Sequence, residues 1–145
     1  MGTGSLDDLR AQQPVIERAR VAFEQDERAV AAWLGGSFGV GTADRWSDID
    51  LRVAVPDDAY DEFVADQGVL ESLGAVLGVI RLTFGEDEFR AAVLEGPVRL
   101  DLLITTPERA LCARSEVIVP LVDPNGIAAR VRNCQPFHAG PHMKC

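Results

Sequence analysis

Lysine is almost absent from this chain of 145 residues, since its 14 basic side chains include a single lysine, Lys144. A Walker-type phosphate loop needs a lysine after its last glycine, so the sequence excludes a loop of that class. The dinucleotide-binding fingerprint also fails, because Asp44 follows Gly39 and Gly41 where a third glycine or alanine is required. Any phosphate chemistry in this chain therefore needs a different kind of loop.

Long apolar runs are missing as well. No stretch reaches the ~18 consecutive apolar residues of a membrane span, and residues 1–8 lack the basic and apolar regions of a secretory signal. The three cysteines, Cys112, Cys134 and Cys145, are odd in number and indicate reduced thiols rather than a disulfide framework. We therefore expect a cytoplasmic protein that does not associate with membranes.

The C-terminal tail contains four side chains of the types that bind zinc: Cys134, His138, His142 and Cys145. Proline and glycine between them prevent a helix that would align them, and terminal residues are often mobile. We expect a disordered tail over residues 134–145, with zinc binding as the minor alternative. Residues 1–133 are expected to form a single domain.

Hydrophobic periodicity predicts alternating helices and strands. Helices are expected over residues 15–27 and 56–73, near residue 107, and over 127–131. Strands are expected over residues 29–34, 48–55, 75–84, 89–95, 98–104 and 117–122, with a hairpin turn at Gly96 and Pro97. The pattern indicates an α/β fold with a mixed sheet.

Asp48 and Asp50 are two residues apart at the start of a predicted strand, so their side chains point to the same side. Ile49, Leu51 and Val53 point the other way, into a core. Two carboxylates on one face repel each other unless a cation lies between them, and magnesium prefers such oxygen ligands. The alternative interpretation is a solvated turn that leads into an edge strand.

Glycines surround a serine just upstream, in residues 35–41 (Gly-Gly-Ser-Phe-Gly-Val-Gly). Around Ser37 the backbone can therefore adopt positive φ and approach a ligand without a side chain in the way. A turn of amide donors with a hydroxyl beside it binds anions. This pattern predicts a phosphate-binding turn directly before the two aspartates.

Asp101 is an acidic residue inside an apolar run, over residues 98–104. A charge that contradicts its local pattern is often functional, so Asp101 is a candidate third carboxylate. The alternative is a charge on an edge strand that discourages aggregation. Arg52 has the same parity as Asp48 and Asp50, and it is expected either to bind phosphate or to pair with a carboxylate.

The glycine-serine turn, the Ser-Asp-x-Asp-Leu segment and the later aspartate resemble the active-site signature of the polymerase-beta-like nucleotidyltransferases. The resemblance covers roughly residues 30–130, and only the segment from Gly36 to Leu51 is specific. A weaker similarity to aminoglycoside-type members lies in the Asp-Pro turn of residues 121–126. The resemblance implies a palm domain, an α/β (α+β) fold with a mixed sheet and helices mainly on one face.

The resemblance also implies roles for individual residues. Asp48, Asp50 and Asp101 would be the catalytic and metal-binding carboxylates for Mg²⁺, with two ions. Gly36, Ser37 and Arg52 would bind the nucleotide, which is ATP or another nucleoside triphosphate. The product would be an acceptor that carries a nucleoside monophosphate, most simply AMP.

The acceptor is less defined by the sequence. A net charge of −9 makes a nucleic-acid substrate unlikely and favours a cationic molecule such as an aminoglycoside, or a basic protein. A palm without a helical domain also resembles the minimal nucleotidyltransferases that act as antitoxins, which bind and in some cases nucleotidylate a toxin protein. An exposed sheet edge makes a homodimer a further expectation.

Overall fold

The computed structural model of this chain describes residues 9–112 and 116–133, and the predicted tail over residues 134–145 lies outside these ranges. The strands of the described part are β1 (Ala31–Leu34), β2 (Ile49–Ala54), β3 (Val76–Phe84), β4 (Asp87–Leu94), β5 (Val98–Thr105) and β6 (Val119–Val122). The helices are α1 (Gln12–Gln25), α2 (Gly36–Val40), α3 (Asp57–Ala65), α4 (Gly68–Glu71), α5 (Pro107–Cys112) and α6 (Ile127–Asn133). None of these helices is long and apolar enough to cross a membrane.

The strands form one mixed sheet in the order β3-β4-β5-β2-β1-β6. Strands β2 and β5 run parallel, whereas the other neighbouring pairs are antiparallel. A parallel pair needs a long connection, and here α3, α4 and the strands β3 and β4 lie between β2 and β5 in the chain. The predicted α/β fold with a mixed sheet is confirmed.

The two faces of the sheet are covered unequally. On the first face, alternate apolar side chains of β2 and β5 pack against α1, α3 and α4 in the main core, which includes Val15, Phe23 and Phe63. On the second face, a smaller cluster joins Trp33 of β1 to α5 and α6. The helices therefore lie mainly on the first face, and the second face keeps polar side chains such as Asp50 accessible.

The predicted single helix from residue 56 to residue 73 is wrong, because the structure has two helices there. α3 ends at Ala65 and α4 begins at Gly68. Between them, the Asp66 backbone is extended (φ −84°, ψ 100°), and its carboxylate accepts a hydrogen bond from the Gly68 amide at 2.9 Å. An aspartate that bonds the backbone two residues later favours a turn over a continuing helix.

β3 is an edge strand, and most of its side chains are exposed to solvent. Ile80 is 63% exposed and Phe84 is 57% exposed. The strand has one charged side chain, Arg81, whose Nε donates to Glu88 of the neighbouring strand at 3.0 Å. Edge strands usually carry more charge or a proline, because their free backbone groups pair readily with other chains.

Candidate active site

Asp50 lies on β2 and points to the second face of the sheet. Its neighbours Ile49, Leu51 and Val53 are at most 1% exposed and belong to the main core on the first face. Because side chains alternate along a strand, the burial of these three residues places Asp50 on the opposite side. Asp48 directly precedes the strand and is exposed.

β5 brings a second carboxylate next to Asp50. Asp50 and Asp101 are direct register partners on the parallel strands, which places their Cα atoms about 4.8 Å apart across the sheet. Leu100 and Leu102 are fully buried in the main core, so Asp101 points to the second face, with 15% of its side chain exposed. The structure therefore brings Asp50 and Asp101 together, with Asp48 at the exposed border.

The glycine-rich turn after β1 approaches these carboxylates through Gly36. This residue has φ of +58°, and a Cβ atom built on it would overlap the Asp50 carboxylate. Only glycine satisfies both conditions without a rearrangement. The Gly35 amide also donates to the Asp50 carbonyl at 2.9 Å. Ser37 follows in the first turn of α2, a short helix that the sequence analysis expected only as a turn.

Gln12 holds the loop that carries Asp48. Its side-chain amide donates to the carbonyls of Asp44 and Ser47, each at 3.1 Å, and the residue is 3% exposed. The Asp44 amide in turn donates to the Ser47 hydroxyl at 2.9 Å. Sequence analysis missed Gln12. The one signal in the sequence is its position three residues before Val15, which puts a polar side chain on the buried side of α1.

Arg99 pairs with two of the three aspartates. Its Nε donates to Asp101 at 3.1 Å, and its guanidinium lies 4.0 Å from the Asp48 carboxylate. Almost half of the Arg99 side chain is exposed, so these pairs are weak and a stronger cation would replace them. Sequence analysis missed this residue, although Arg99 and Asp101 have the two-residue spacing that puts side chains on one face.

Arg52 forms an ion pair with Glu116 rather than with an aspartate. Its Nε donates to the Glu116 carboxylate at 3.1 Å, and both side chains are partly buried. The sequence left open whether Arg52 binds phosphate or pairs with a carboxylate, and in the structure Arg52 pairs with a carboxylate. Sequence analysis missed Glu116, because 64 residues separate it from Arg52 and no motif connects them.

The charges around Asp50 crowd one another. Burial is the largest cause that raises the pKa of Asp50 above its usual value; Arg52 opposes this, while Asp101, Asp48 and Glu116 raise the pKa further. A bound cation would relieve this repulsion, and carboxylate oxygens are the ligands that magnesium prefers. Among the residues described, no three acidic, histidine or cysteine side chains converge as a ready metal cluster. The donor chemistry nevertheless fits a magnesium ion.

Comparison with known proteins identifies a family for most of the chain. The sequence model of the family described as "Nucleotidyltransferase domain" matches residues 16–119, which is more than half of the chain. No curated protein matches the chain.

Solved structures with a similar fold include two nucleotide-transferring enzymes. The Cid1 poly(U) polymerase with MgGTP bound is 14% identical with a TM-score of 0.54, and the alignment covers 70% of this chain and 33% of that one. An aminoglycoside 6-adenyltransferase from Bacillus subtilis is 17% identical with a TM-score of 0.50, covering 66% and 35%. At these identities the likeness shows the fold alone. This chain spans about a third of the length of either protein.

Proposed function

Because the chain belongs to the nucleotidyltransferase domain family, we propose that residues 1–133 form a single palm that transfers a nucleoside monophosphate from a nucleoside triphosphate to a hydroxyl group. AMP from ATP is the simplest donor reaction. The observation that carries the proposal is the register pairing of Asp50 with Asp101 directly beside Gly36. The glycine-rich turn and two carboxylates therefore meet at one point of the sheet.

Asp50 and Asp101 would hold magnesium, and Asp48 would be a further ligand at the exposed border. We expect two magnesium ions. When bound, magnesium neutralises the phosphate charge that grows as pyrophosphate leaves. Arg99 pairs with Asp101 and Asp48, so it would compete with a cation for these carboxylates. Its partial exposure makes it easy to displace.

The start of α2 would bind the terminal phosphates of the donor. The first amides of a helix have no intrahelical partner, so Gly36 and Ser37 present donors, and the Ser37 hydroxyl adds another. Arg52 lies on the same face as Asp50, two residues further along β2. To bind phosphate, Arg52 would offer the terminal nitrogens of its guanidinium group, while its Nε keeps the hydrogen bond to Glu116.

Asp101 is the residue we assign to the acceptor side. As the acceptor oxygen bonds to the α-phosphorus and the bond to pyrophosphate breaks, the hydroxyl proton passes to the Asp101 carboxylate. Asp101 is less exposed than Asp48, which places it nearer to the centre of the site. Asp48 is therefore the weaker candidate for the proton acceptor.

Two observations bear on the acceptor. One structural relative is named as an aminoglycoside adenyltransferase, and the net charge of −9 attracts cations, so an aminoglycoside is the first acceptor to test. Another relative is named as a poly(U) polymerase, but an acidic protein repels the phosphates of RNA. We place a small molecule ahead of nucleic acid.

A second candidate function is that of an antitoxin-type nucleotidyltransferase, which binds a toxin protein and modifies it. The observation that favours a protein partner is the exposed apolar edge strand β3, with Ile80 and Phe84 more than half exposed. A second copy of this chain would cover the same strand. Light scattering distinguishes a second copy from a different protein as the partner of β3. A dimer in solution would favour the second copy, and a monomer would leave β3 for a different protein.

Label transfer tests the enzymatic proposal. The protein is incubated with α-³²P-labelled ATP, magnesium and, separately, kanamycin, a short RNA or cell extract. In at least one of these mixtures we expect labelled product with the wild type, none with Asp101→Asn, and wild-type yield with Asp57→Asn, an exposed aspartate on α3. Equal transfer by the wild type and Asp101→Asn would remove the role assigned to Asp101.

A further inference from the structure

A cavity of about 300 Å³ opens on the same sheet face as the carboxylates. Arg52 and Leu103 are register partners in its lining, and each lies two residues beyond an aspartate of the site, Asp50 on β2 and Asp101 on β5. With a rise of about 3.3 Å per residue, the cavity begins about 7 Å from the carboxylates. One aromatic ring with a hydroxyl group spans such a distance.

The walls of this cavity are mainly aromatic and apolar. Phe84 contributes from β3 and Phe89 from β4, where Phe89 is the register partner of Leu103. Trp33 of β1 also borders the cavity, with 2% of the residue exposed. The Phe84 and Phe89 rings have their centroids 4.9 Å apart. Flat aromatic surfaces of this kind favour a ring that stacks against them or meets them by its edge. We call this cavity, defined by Trp33, Phe84, Phe89 and Leu103, the aromatic pocket.

The charged side chains at the aromatic pocket are already paired with each other. Arg52 donates to Glu116 at 3.1 Å, and Arg109 donates to Asp87 at 2.6 Å. The two positive and two negative charges balance, so the pocket offers no surplus charge to an ionic ligand. A polycationic ligand would compete with two arginines for two carboxylates. An uncharged ligand leaves both ion pairs intact.

We propose that the aromatic pocket seats the acceptor, and that this acceptor is an uncharged aromatic molecule with a hydroxyl group rather than a polycationic aminosugar. The inference rests on the proposed function. With its ring on Phe89 and Leu103, the molecule directs its hydroxyl towards Asp101. The hydroxyl oxygen bonds to the α-phosphorus, pyrophosphate leaves, and the proton passes to Asp101.

The size of the aromatic pocket supports the same class. Ligand pockets span roughly 300–1,000 Å³, and this pocket is at the lower end of that range. It suits a molecule of one or two rings, whereas an aminoglycoside has several sugar rings, each with bulky substituents.

The test uses 2-naphthol as the probe and a Trp46→Phe background, in which Trp33 is the remaining tryptophan. Its indole N–H gives one resonance in a ¹⁵N–¹H correlation spectrum, so a shift reports directly on the pocket wall. We expect 2-naphthol to shift this resonance saturably, and Phe89→Ala to weaken the binding at least fivefold. Val93→Ala is the matched control, an exposed residue on the same strand and face outside the pocket.

The inference predicts that kanamycin causes no saturable shift and that 2-naphthol binds equally well with MgATP present. It is overturned if 2-naphthol causes no saturable shift, or if Phe89→Ala and Val93→Ala weaken binding equally. Competition between 2-naphthol and MgATP would also overturn it, because the pocket would then hold the base of the nucleotide.

Calorimetry with MgATP on the same protein separates this inference from the proposed function. If MgATP binds and 2-naphthol does not, the aromatic pocket is not the acceptor site, and the nucleotidyl transfer proposal stands. If 2-naphthol binds and MgATP does not, the proposed function fails, and the pocket loses its role as an acceptor seat. The two failures therefore give different results.

Discussion

Replacing Gly36 by alanine tests the contact between the glycine-rich turn and the carboxylates that we propose to be catalytic. The residue has φ of +58°, and holding an alanine there costs about 1–2 kcal/mol of unfolding free energy. The new Cβ would also overlap the Asp50 carboxylate, so this side chain must leave the position that it has beside its register partner Asp101. We expect a loss of stability and a loss of nucleotide binding from one methyl group.

The two effects have different sizes and different assays. The backbone effect alone should lower the melting temperature by about 3–6 °C, at roughly 3 °C per kcal/mol for a domain of this size. Displacing Asp50 removes its proposed contact with magnesium. If this contact is worth about 1.5–3 kcal/mol, as a hydrogen bond to a charged group is, MgATP binding weakens at least tenfold. Thermal unfolding measures the first effect, and calorimetric titration measures the second.

Gly41→Ala is the matched control. Gly41 has φ of +82°, yet no atom lies within 4 Å of a Cβ built there. It should therefore lose similar stability through the backbone alone and bind MgATP like the wild type. The reasoning is refuted if Gly36→Ala binds MgATP as tightly as the wild type, or if both variants lose the same affinity.

Three further substitutions test other parts of the account. Arg99→Gln should tighten magnesium binding in the presence of ATP two- to fivefold, roughly the effect of one weak competing pair at Asp101; weaker binding in a magnesium titration would contradict this. Tyr60→Phe should cost about 1–3 kcal/mol in urea unfolding, because the hydroxyl donates to a β5 carbonyl at 2.6 Å and accepts from a β4 amide at 2.9 Å. Arg28→Met should destabilise the fold by about 1 kcal/mol at pH 7, because hydrogen bonds from Arg28 lower the pKa of Asp26. That stability is present above the unfolded pKa of about 3.9 and is lost as pH falls through the lower folded value, so the difference between variant and wild type should shrink below pH 4.

Local alternation along two strands made much of the site predictable from the sequence. The buried partners of Asp50 and Asp101 are spaced by two residues, which is enough to place each aspartate on a face away from the core. The glycine-serine turn also has a local signature. The family predicted from these motifs is confirmed by the nucleotidyltransferase domain match.

Long-range contacts were not predictable in the same way. The register that sets Asp50 directly beside Asp101 depends on how β5 returns to β2, which no local pattern specifies. The pair of Arg52 with Glu116 and the hydrogen bonds of Gln12 join residues far apart in the sequence. The aromatic pocket likewise takes its residues from several strands and helices, so it exists only once the chain is folded.

The break between α3 and α4 has another cause. The apolar spacing continues through residues 63, 69, 70 and 73, so periodicity alone favours one helix. Asp66 overrides this pattern with its side-chain bond to the Gly68 amide. Periodicity measures which residues face the core, and it does not detect a side chain that competes for the backbone.

The most direct test of the central claim is a calorimetric titration of MgATP into the wild type and into the Asp48→Ala, Asp50→Ala double variant. Both side chains are at least partly exposed, so the variant should keep its fold, which circular dichroism checks. The account predicts that the wild type binds ATP in a magnesium-dependent manner and that the folded double variant does not. Equal binding by both proteins, or no binding by the wild type, would contradict it.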